Sequence, residues 1–174
     1  MLSVLYSVVF VLLVAADQII KKIVVSKLGL YEQATVIKDF FSFYYAQNTG
    51  SAFSLFADKP WGIYFLSGVS TVLGVVIFVL MIFALKHNMK LIAFAFCLLS
   101  SGAVGNLIDR FRLKYVVDYL RFDFGSYTFP IFNFADMCAV VGTILLICII
   151  VFGSKYFEKF WSLLFAKRKN ENAG

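Results

Sequence analysis

Uncharged stretches divide the chain into four long apolar runs joined by polar connections of unequal length. The first extends from Leu2 to Ala16 and continues past Asp17 through Ile19 and Ile20 to Lys21 and Lys22. Taken to Val25 it is about 24 residues, enough to cross a hydrocarbon core of roughly 30 Å. No Lys or Arg precedes it, and Val14-Ala15-Ala16 is its only small-residue cleavage signal, so a retained helix is expected rather than a removed signal peptide. The second run, Trp61 to Leu85, holds no charge and stops at Lys86-His87-Asn88-Met89-Lys90. The third, Leu91 to Ile108, follows at once, and so short a link forces an antiparallel helical hairpin. The fourth starts near Ile131 and reaches Ser154 with Asp136 as its only charge, before a tail containing Lys167-Arg168-Lys169. Helices are therefore predicted at about 2–25, 61–85, 91–110 and 131–154 of a single membrane domain, 1–174, with both termini on one side and a tail from 155 to 174.

Two longer connections, about 28–60 and 111–130, lie on the opposite side. Thr35 to Tyr45 is rich in β-branched and aromatic residues, which suit strands, and a small sheet at the membrane interface is expected. Between Leu113 and Pro130 the residues alternate. Val116, Asp118, Leu120, Phe122 and Phe124 share one face of an extended chain, and Val117, Tyr119, Arg121 and Asp123 share the other, which sets Asp118 on the apolar face. The expected fold class is an all-α polytopic membrane protein: four transmembrane helices with a small β-rich subdomain at the interface. Asn48-Thr49-Gly50-Ser51-Ala52-Phe53 carries a turn signal leading into the second helix; the Asn48 amide, able to donate and to accept, could also reach a substrate backbone.

Composition agrees with a membrane protein: 61% of the residues are hydrophobic, 15% are charged and mean hydropathy is +0.87. Soluble domains run at roughly 45–50% apolar and about 25% charged. Cys97, Cys138 and Cys148 sit inside apolar runs, there is no Cys-x-x-Cys, and His87 is the single histidine, which disfavours a disulfide scaffold or a structural zinc site. The net charge of +6 comes from clusters flanking the apolar runs, so a membrane surface, not nucleic acid, explains it. Lys and Arg counts alone do not orient the chain. The face of the 86–90 link and the tail holds Lys86, Lys90, Lys155, Lys159, Lys167, Arg168 and Lys169 with only Glu158 and Glu171, whereas the other face mixes its cations with carboxylates, which favours termini inside.

Ionisable groups at membrane depth are costly and each is a candidate for function. Asp17 and Lys21 are four apart on the first helix, a spacing at which they can pair. Gly102, Asn106, Asp109 and Arg110 form a polar stripe near the end of the third helix; Gly102 and Gly105 permit close backbone approach, and Asp109 with Arg110 is expected as a fixed ion pair. Asn133 and Asp136 share a face at the start of the fourth helix. Asp118 and Asp136 lack an obvious local cation and are tethered to the same membrane face. Two carboxylates brought close in a poorly hydrated site share a proton, and such a pair does the chemistry of an aspartic protease, one member activating water and the other donating to the carbonyl oxygen, with no metal. Ser51 or Ser54 with Lys21, or a triad using His87, fits less well. A small transporter or proton-conducting protein using the carboxylates as relays is the alternative from another class, and a non-catalytic assembly subunit is a third.

In order along the chain stand Asp17-Gln18-x-x-Lys21, Asn48-x-Gly50-x-Ala52-Phe53, Gly105-Asn106-x-x-Asp109-Arg110, Val117-Asp118 and Phe132-Asn133-x-Ala135-Asp136. With these motifs the chain resembles the bacterial lipoprotein signal peptidases (signal peptidase II) from Asp17 to about Gly142. The resemblance implies a membrane-embedded aspartic endopeptidase with Asp118 and Asp136 as its dyad and no cofactor. It implies that Asn48, Gly50, Asp17, Lys21, Gly102, Asn106, Asp109, Arg110, Asn133 and Ala135 support the dyad or contact substrate or inhibitor. Substrates would be diacylglyceryl-modified prolipoproteins, cut before the lipid-bearing cysteine, and inhibitors would be cyclic peptides of the globomycin type. The implied location is the bacterial cytoplasmic membrane, termini cytoplasmic, the site toward the outer leaflet and the β-rich subdomain extracytoplasmic.

Overall fold

A computed structural model of the chain describes residues 2–49 and 61–165. In chain order these form α1 (Leu2–Lys27), β1 (Gln33–Ile37), β2 (Phe41–Asn48), α2 (Gly62–Lys86), α3 (Lys90–Leu113), β3 (Val116–Phe124), β4 (Tyr127–Thr128), α4 (Phe134–Phe152) and α5 (Ser154–Phe165). Among the described residues α2, α3 and α4 are long and apolar enough to cross a membrane. Buried side chains make up 56% of the apolar window of α3 but 22% in α2 and in α4, so α3 is the central helix and the other two turn most of their surface outward. Exposed Val, Leu, Ile and Phe along those outer faces are what a hydrocarbon solvent calls for. α1, expected as a fourth span, is 26 residues long but carries Asp17, Lys21, Lys22 and Lys27 in its last three turns.

Small residues let α3 and α4 meet. A Cβ on Gly102 would collide with the Ala135 carbonyl oxygen and lie 3.0 Å from the Ala139 nitrogen; one on Gly142 would lie 2.9 Å from the Ala95 carbonyl oxygen. Because backbone cannot move aside as a side chain can, Gly102→Val is expected to push the helices apart at a cost of about 1–3 kcal/mol. Thermal unfolding in detergent checks this; an unchanged midpoint would show that the helices need not be so close.

The sheet runs β1-β2-β3-β4, all antiparallel, and the α2–α3 hairpin is an excursion between β2 and β3. Phe43 faces Leu120, but Ala46 faces Asp118 and Asn48 faces Val116, so β2 carries one extra residue between Phe43 and Ala46. Side chains alternate with a period of two, and a one-residue bulge therefore moves the end of β2 onto the opposite face. Without it Gln47, not Asn48, would lie on the face that carries Asp118. The other face packs Val117, Tyr119 and Tyr45 on Val24 and Ile20 of α1, which moors the sheet to the bundle.

Several boundaries differ from the expectation. α3 runs to Leu113, nearly one turn past 110, and closes at Lys114 in the left-handed conformation (φ 67°). α4 begins at Phe134, not near 131, because Phe132 is bridged to Leu120 of β3 and Asn133 caps the helix. The segment assigned wholly to a tail forms α5: the chain breaks at Gly153, and Phe160 then packs on Phe83 of α2 and Phe96 of α3, with ring centroids 5.7 and 5.8 Å apart. The α2–α3 turn, His87 to Met89, is as tight as predicted, with Asn88 taking the positive φ.

Candidate active site

Strand β3 and the start of α4 bring Asp118 and Asp136 to one asparagine. The Asn133 side-chain amide donates to Asp118 Oδ1 at 2.7 Å, while its backbone N–H donates to Asp136 Oδ2 at 3.0 Å. Asn133 Oδ1 accepts from the Asp136 backbone N–H at 3.0 Å, which completes a reciprocal capping box at the helix N-terminus. Asn48, put on this face by the bulge, donates to Asp118 Oδ2 at 2.9 Å. Asn106 of α3 donates to Asp136 Oδ1 at 2.7 Å. Its own Oδ1 accepts from Lys21 Nζ (2.8 Å) and from Asn133 Nδ2 (3.0 Å), and two donors on that end fix which way the amide points. Each carboxylate is thus held by amide N–H groups from two elements, without a direct ion pair among the described residues.

Asp118 is buried, and burial, followed by the neighbouring charge of Asp136, raises its pKa to about 7, against the donors on its two oxygens. An ordinary aspartate is ionised far below neutrality. Near neutral pH this carboxyl can therefore exist with or without its proton, the property that proton-transfer chemistry requires.

Beneath the pair lies a second layer. Lys21 Nζ reaches Asp17 Oδ2 at 2.9 Å, Asp109 Oδ2 at 2.9 Å and Asn106 Oδ1, so its three donors are all used. Asp17 Oδ1 accepts from the Ala135 backbone N–H at 3.0 Å, tying α1 to the first turn of α4. Asp109 Oδ2 also accepts from the Val117 N–H at 3.1 Å, tying α3 to the start of β3 next to Asp118. The layer therefore joins the two segments that carry the candidate dyad. A Cβ on Gly105 would lie 2.7 Å from Asp17 Oδ2, so that glycine leaves room for the carboxylate.

The structure brings together Asp17, Lys21, Asn48, Gly102, Asn106, Asp109, Asp118, Asn133, Ala135 and Asp136, and one pairing differs from the expectation. Asp109 is bound to Lys21 and not to Arg110, because neighbours in a helix point about 100° apart. Arg110 has no hydrogen-bond partner for its buried Nε among the described residues, and the carboxylate charges that act on it most are those of Asp136 and Asp118. Gly50 lies outside the described residues, as do Ser51 and Ser54. His87 stands against Phe83 in the turn at the other end of α3. The sequence reading assigned no role to two residues that contribute. Gln18 Nε2 lies 3.1 Å from both Asp109 Oδ1 and the Gly105 carbonyl oxygen, and the Tyr119 hydroxyl accepts from the Phe134 N–H at 3.2 Å. Gln18 stood in the motif beside Asp17; nothing local marked Tyr119.

The Signal peptidase (SPase) II family model matches residues 9–152. A lipoprotein signal peptidase of Clostridium tetani (strain Massachusetts / E88) is 39% identical over 153 residues, which are 87% of this chain and 96% of that protein. One of Psychromonas ingrahamii is 37% identical over 140 residues, 78% of each. A bacterial membrane enzyme solved by the in meso method at 2.3 Å shares the fold with a TM-score of 0.70 and 25% identity, over 97% of this chain and 94% of that one. With a family model covering most of its length and relatives of this similarity, the chain belongs to the signal peptidase II family of membrane-bound bacterial peptidases.

Proposed function

We propose that the protein is an aspartic endopeptidase that removes signal peptides from diacylglyceryl-modified prolipoproteins, cutting immediately before the lipid-bearing cysteine with Asp118 and Asp136 as its dyad. The observation that carries this reading is the convergence of both carboxylates on Asn133 at one end of the bundle, in a buried setting that raises the pKa of Asp118. The pair holds one proton. The ionised member takes a proton from water as the water oxygen attacks the scissile carbonyl, and the protonated member donates to the carbonyl oxygen. Collapse of the tetrahedral intermediate breaks the C–N bond: the protonated member of the dyad gives its proton to the leaving amine nitrogen while the ionised member takes one from a hydroxyl of the gem-diol, which restores a single proton on the pair. Asn48, Asn106 and Asn133 hold the two carboxylates in place, and Arg110, with unused hydrogen-bonding capacity, reaches substrate backbone carbonyls. A cyclic peptide of the globomycin type would inhibit by occupying the same pair.

α1 is the fourth span. Its Tyr6 hydroxyl donates to the Lys90 carbonyl at the start of α3, and its Lys21 pairs with Asp109 near the end of α3, so it lies beside a spanning helix over the same depth. Termini are cytoplasmic, and the dyad sits toward the outer leaflet, where a diacylglyceryl cysteine anchors its acyl chains. Clustering of the polar groups at one end favours this reading over a relay, which would need them along a path across the bilayer.

Cleavage of a diacylglyceryl peptide beside its unlipidated twin tests the proposal. Only the lipidated peptide should be cut, with product masses that place the bond before the cysteine; equal cutting of both, or none, would contradict it. The face of the sheet that carries Asp118 also carries Phe41 and Phe122, stacked at 4.8 Å, and Phe122 stacks on Phe132 at 5.8 Å. This aromatic track would rest on the interface and hold the substrate over the dyad. Replacing Phe41 and Phe43 together with serine is expected to raise KM about 10-fold while kcat changes little, given the apolar area lost; an unchanged KM would remove the track from the account.

A further inference from the structure

At the end of the bundle opposite the candidate dyad, the amphipathic helix α5 and the α2–α3 turn make a second surface. The inner side of α5 is sealed: Phe160 is buried against Phe83 and Phe96, with Phe157 beside it. The outer side is divided. Lys155 and Lys159 are exposed on one arc, while Trp161 and Phe165, with ring centroids 4.4 Å apart, are 54% and 61% exposed on the flank. Lys86 and Lys90 are exposed at the adjoining turn, and Glu158 is the one acid on α5.

The depth of this helix follows from its contacts. Phe83 lies three residues before Lys86, and Phe96 lies six after Lys90, so Phe160 sits about 5–9 Å inward of the basic turn at the 1.5 Å rise of a helix. An amphipathic helix in a bilayer interface rests at about that depth. Cations on the water side and aromatic rings on the hydrocarbon flank are what an interfacial helix needs, and the cations select the headgroups they meet.

We propose that α5 and the α2–α3 turn form a binding surface for anionic phospholipid headgroups, with Lys86, Lys90, Lys155 and Lys159 contacting the headgroups and Trp161 and Phe165 inserted among the upper acyl segments. The proposal rests neither on the catalytic reading nor on which side the termini face.

The chain has two tryptophans, Trp61 and Trp161, so Trp61→Phe leaves Trp161 as the only reporter. The full chain carrying that change is reconstituted into phosphatidylcholine vesicles containing phosphatidylglycerol, with bromine placed on shallow acyl carbons of either one lipid or the other at equal label concentration. Trp161 should be quenched, and brominated phosphatidylglycerol should quench about twofold more than brominated phosphatidylcholine. That preference should vanish in about 1 M salt, where the screening length falls to about 3 Å. It should vanish as well when Lys86, Lys90, Lys155 and Lys159 are all changed to glutamine. Equal quenching by the two lipids, a preference that survives about 1 M salt or, in the folded fourfold variant, the glutamine changes, or no quenching, as when a protein partner covers the helix, would each overturn the proposal. The salt comparison uses no lysine variant, so it decides the matter even where the fourfold change fails to fold.

Discussion

Asp118→Asn and Asp136→Asn are each expected to lower kcat on the order of 10,000-fold, the scale of loss when one member of a catalytic unit is removed. The reason is chemical and not architectural. An amide can neither accept the proton of the attacking water nor supply one to the carbonyl oxygen, whereas its size matches the carboxyl it replaces. The loss should be as deep in the double variant as in either single one, because the pair acts as one unit. Both variants should remain folded: an amide at 118 can keep its oxygen on Asn133 Nδ2 while the Asn48 amide turns to accept from its nitrogen, and an amide at 136 retains the helix N-terminal position. A chelator should leave the wild-type rate unchanged. Cleavage by either folded variant at the normal rate would remove that residue from the dyad and return the relay reading to consideration, to be tested as ion flux in liposomes.

Lys21→Met is expected to produce the largest loss of stability. The side chains have similar volume, but Asp17 and Asp109, both buried, would lose the one cation that lies between them. Leaving a buried charge unpaired costs roughly 3–5 kcal/mol. By contrast the Arg121–Asp123 pair on the sheet, partly exposed, should cost at most about 1 kcal/mol to break. Because the same ammonium holds Asn106 Oδ1, Lys21→Met should also let the Asn106 amide swing away from Asp136 and reduce activity. Adding Asp109→Asn to Lys21→Met should recover part of the stability by removing one of the stranded charges. The unfolding midpoints of the wild type and these two variants in one detergent decide this, and no loss in Lys21→Met would mean that the layer has another source of charge balance.

How far the sequence revealed the fold depends on whether the signal was local. Three of the four apolar runs became helices of the expected kind because a stretch without charge has no competing local solution in hydrocarbon. The Asp17–Lys21 pair was legible for the same reason, since a spacing of four fixes it within one helix. The partner of Asp109 was not, because Lys21 comes from another helix and only packing brings it there. Nor was the bulge in β2, which no motif announces, although it decides that Asn48 shares a face with Asp118. Asn133 and Asp136 were visible as two polar groups three apart; their capping box could have been read from that spacing, and it explains why α4 starts where it does. The apolar positions Tyr156, Phe157, Phe160, Leu163 and Leu164 recur at helical spacing, so α5 too was present in the pattern, masked by the charges of the segment that follows.

If Asp118 and Asp136 work on one shared proton, the dependence of kcat/KM on pH must show it. A buried carboxyl with its pKa raised to about 7 is protonated below that pH and loses the proton above it. The dyad is competent when it carries one proton, so kcat/KM should follow a bell whose alkaline limb falls as pH rises through about 7. Unfolding must be monitored at each pH, so that a lost fold is not taken for a lost proton. A fall near that pH in the folded enzyme is the result predicted. A rate that stays flat, or rises, from neutral into alkaline solution would contradict the account, since a pair that has lost its last proton has none to give the carbonyl.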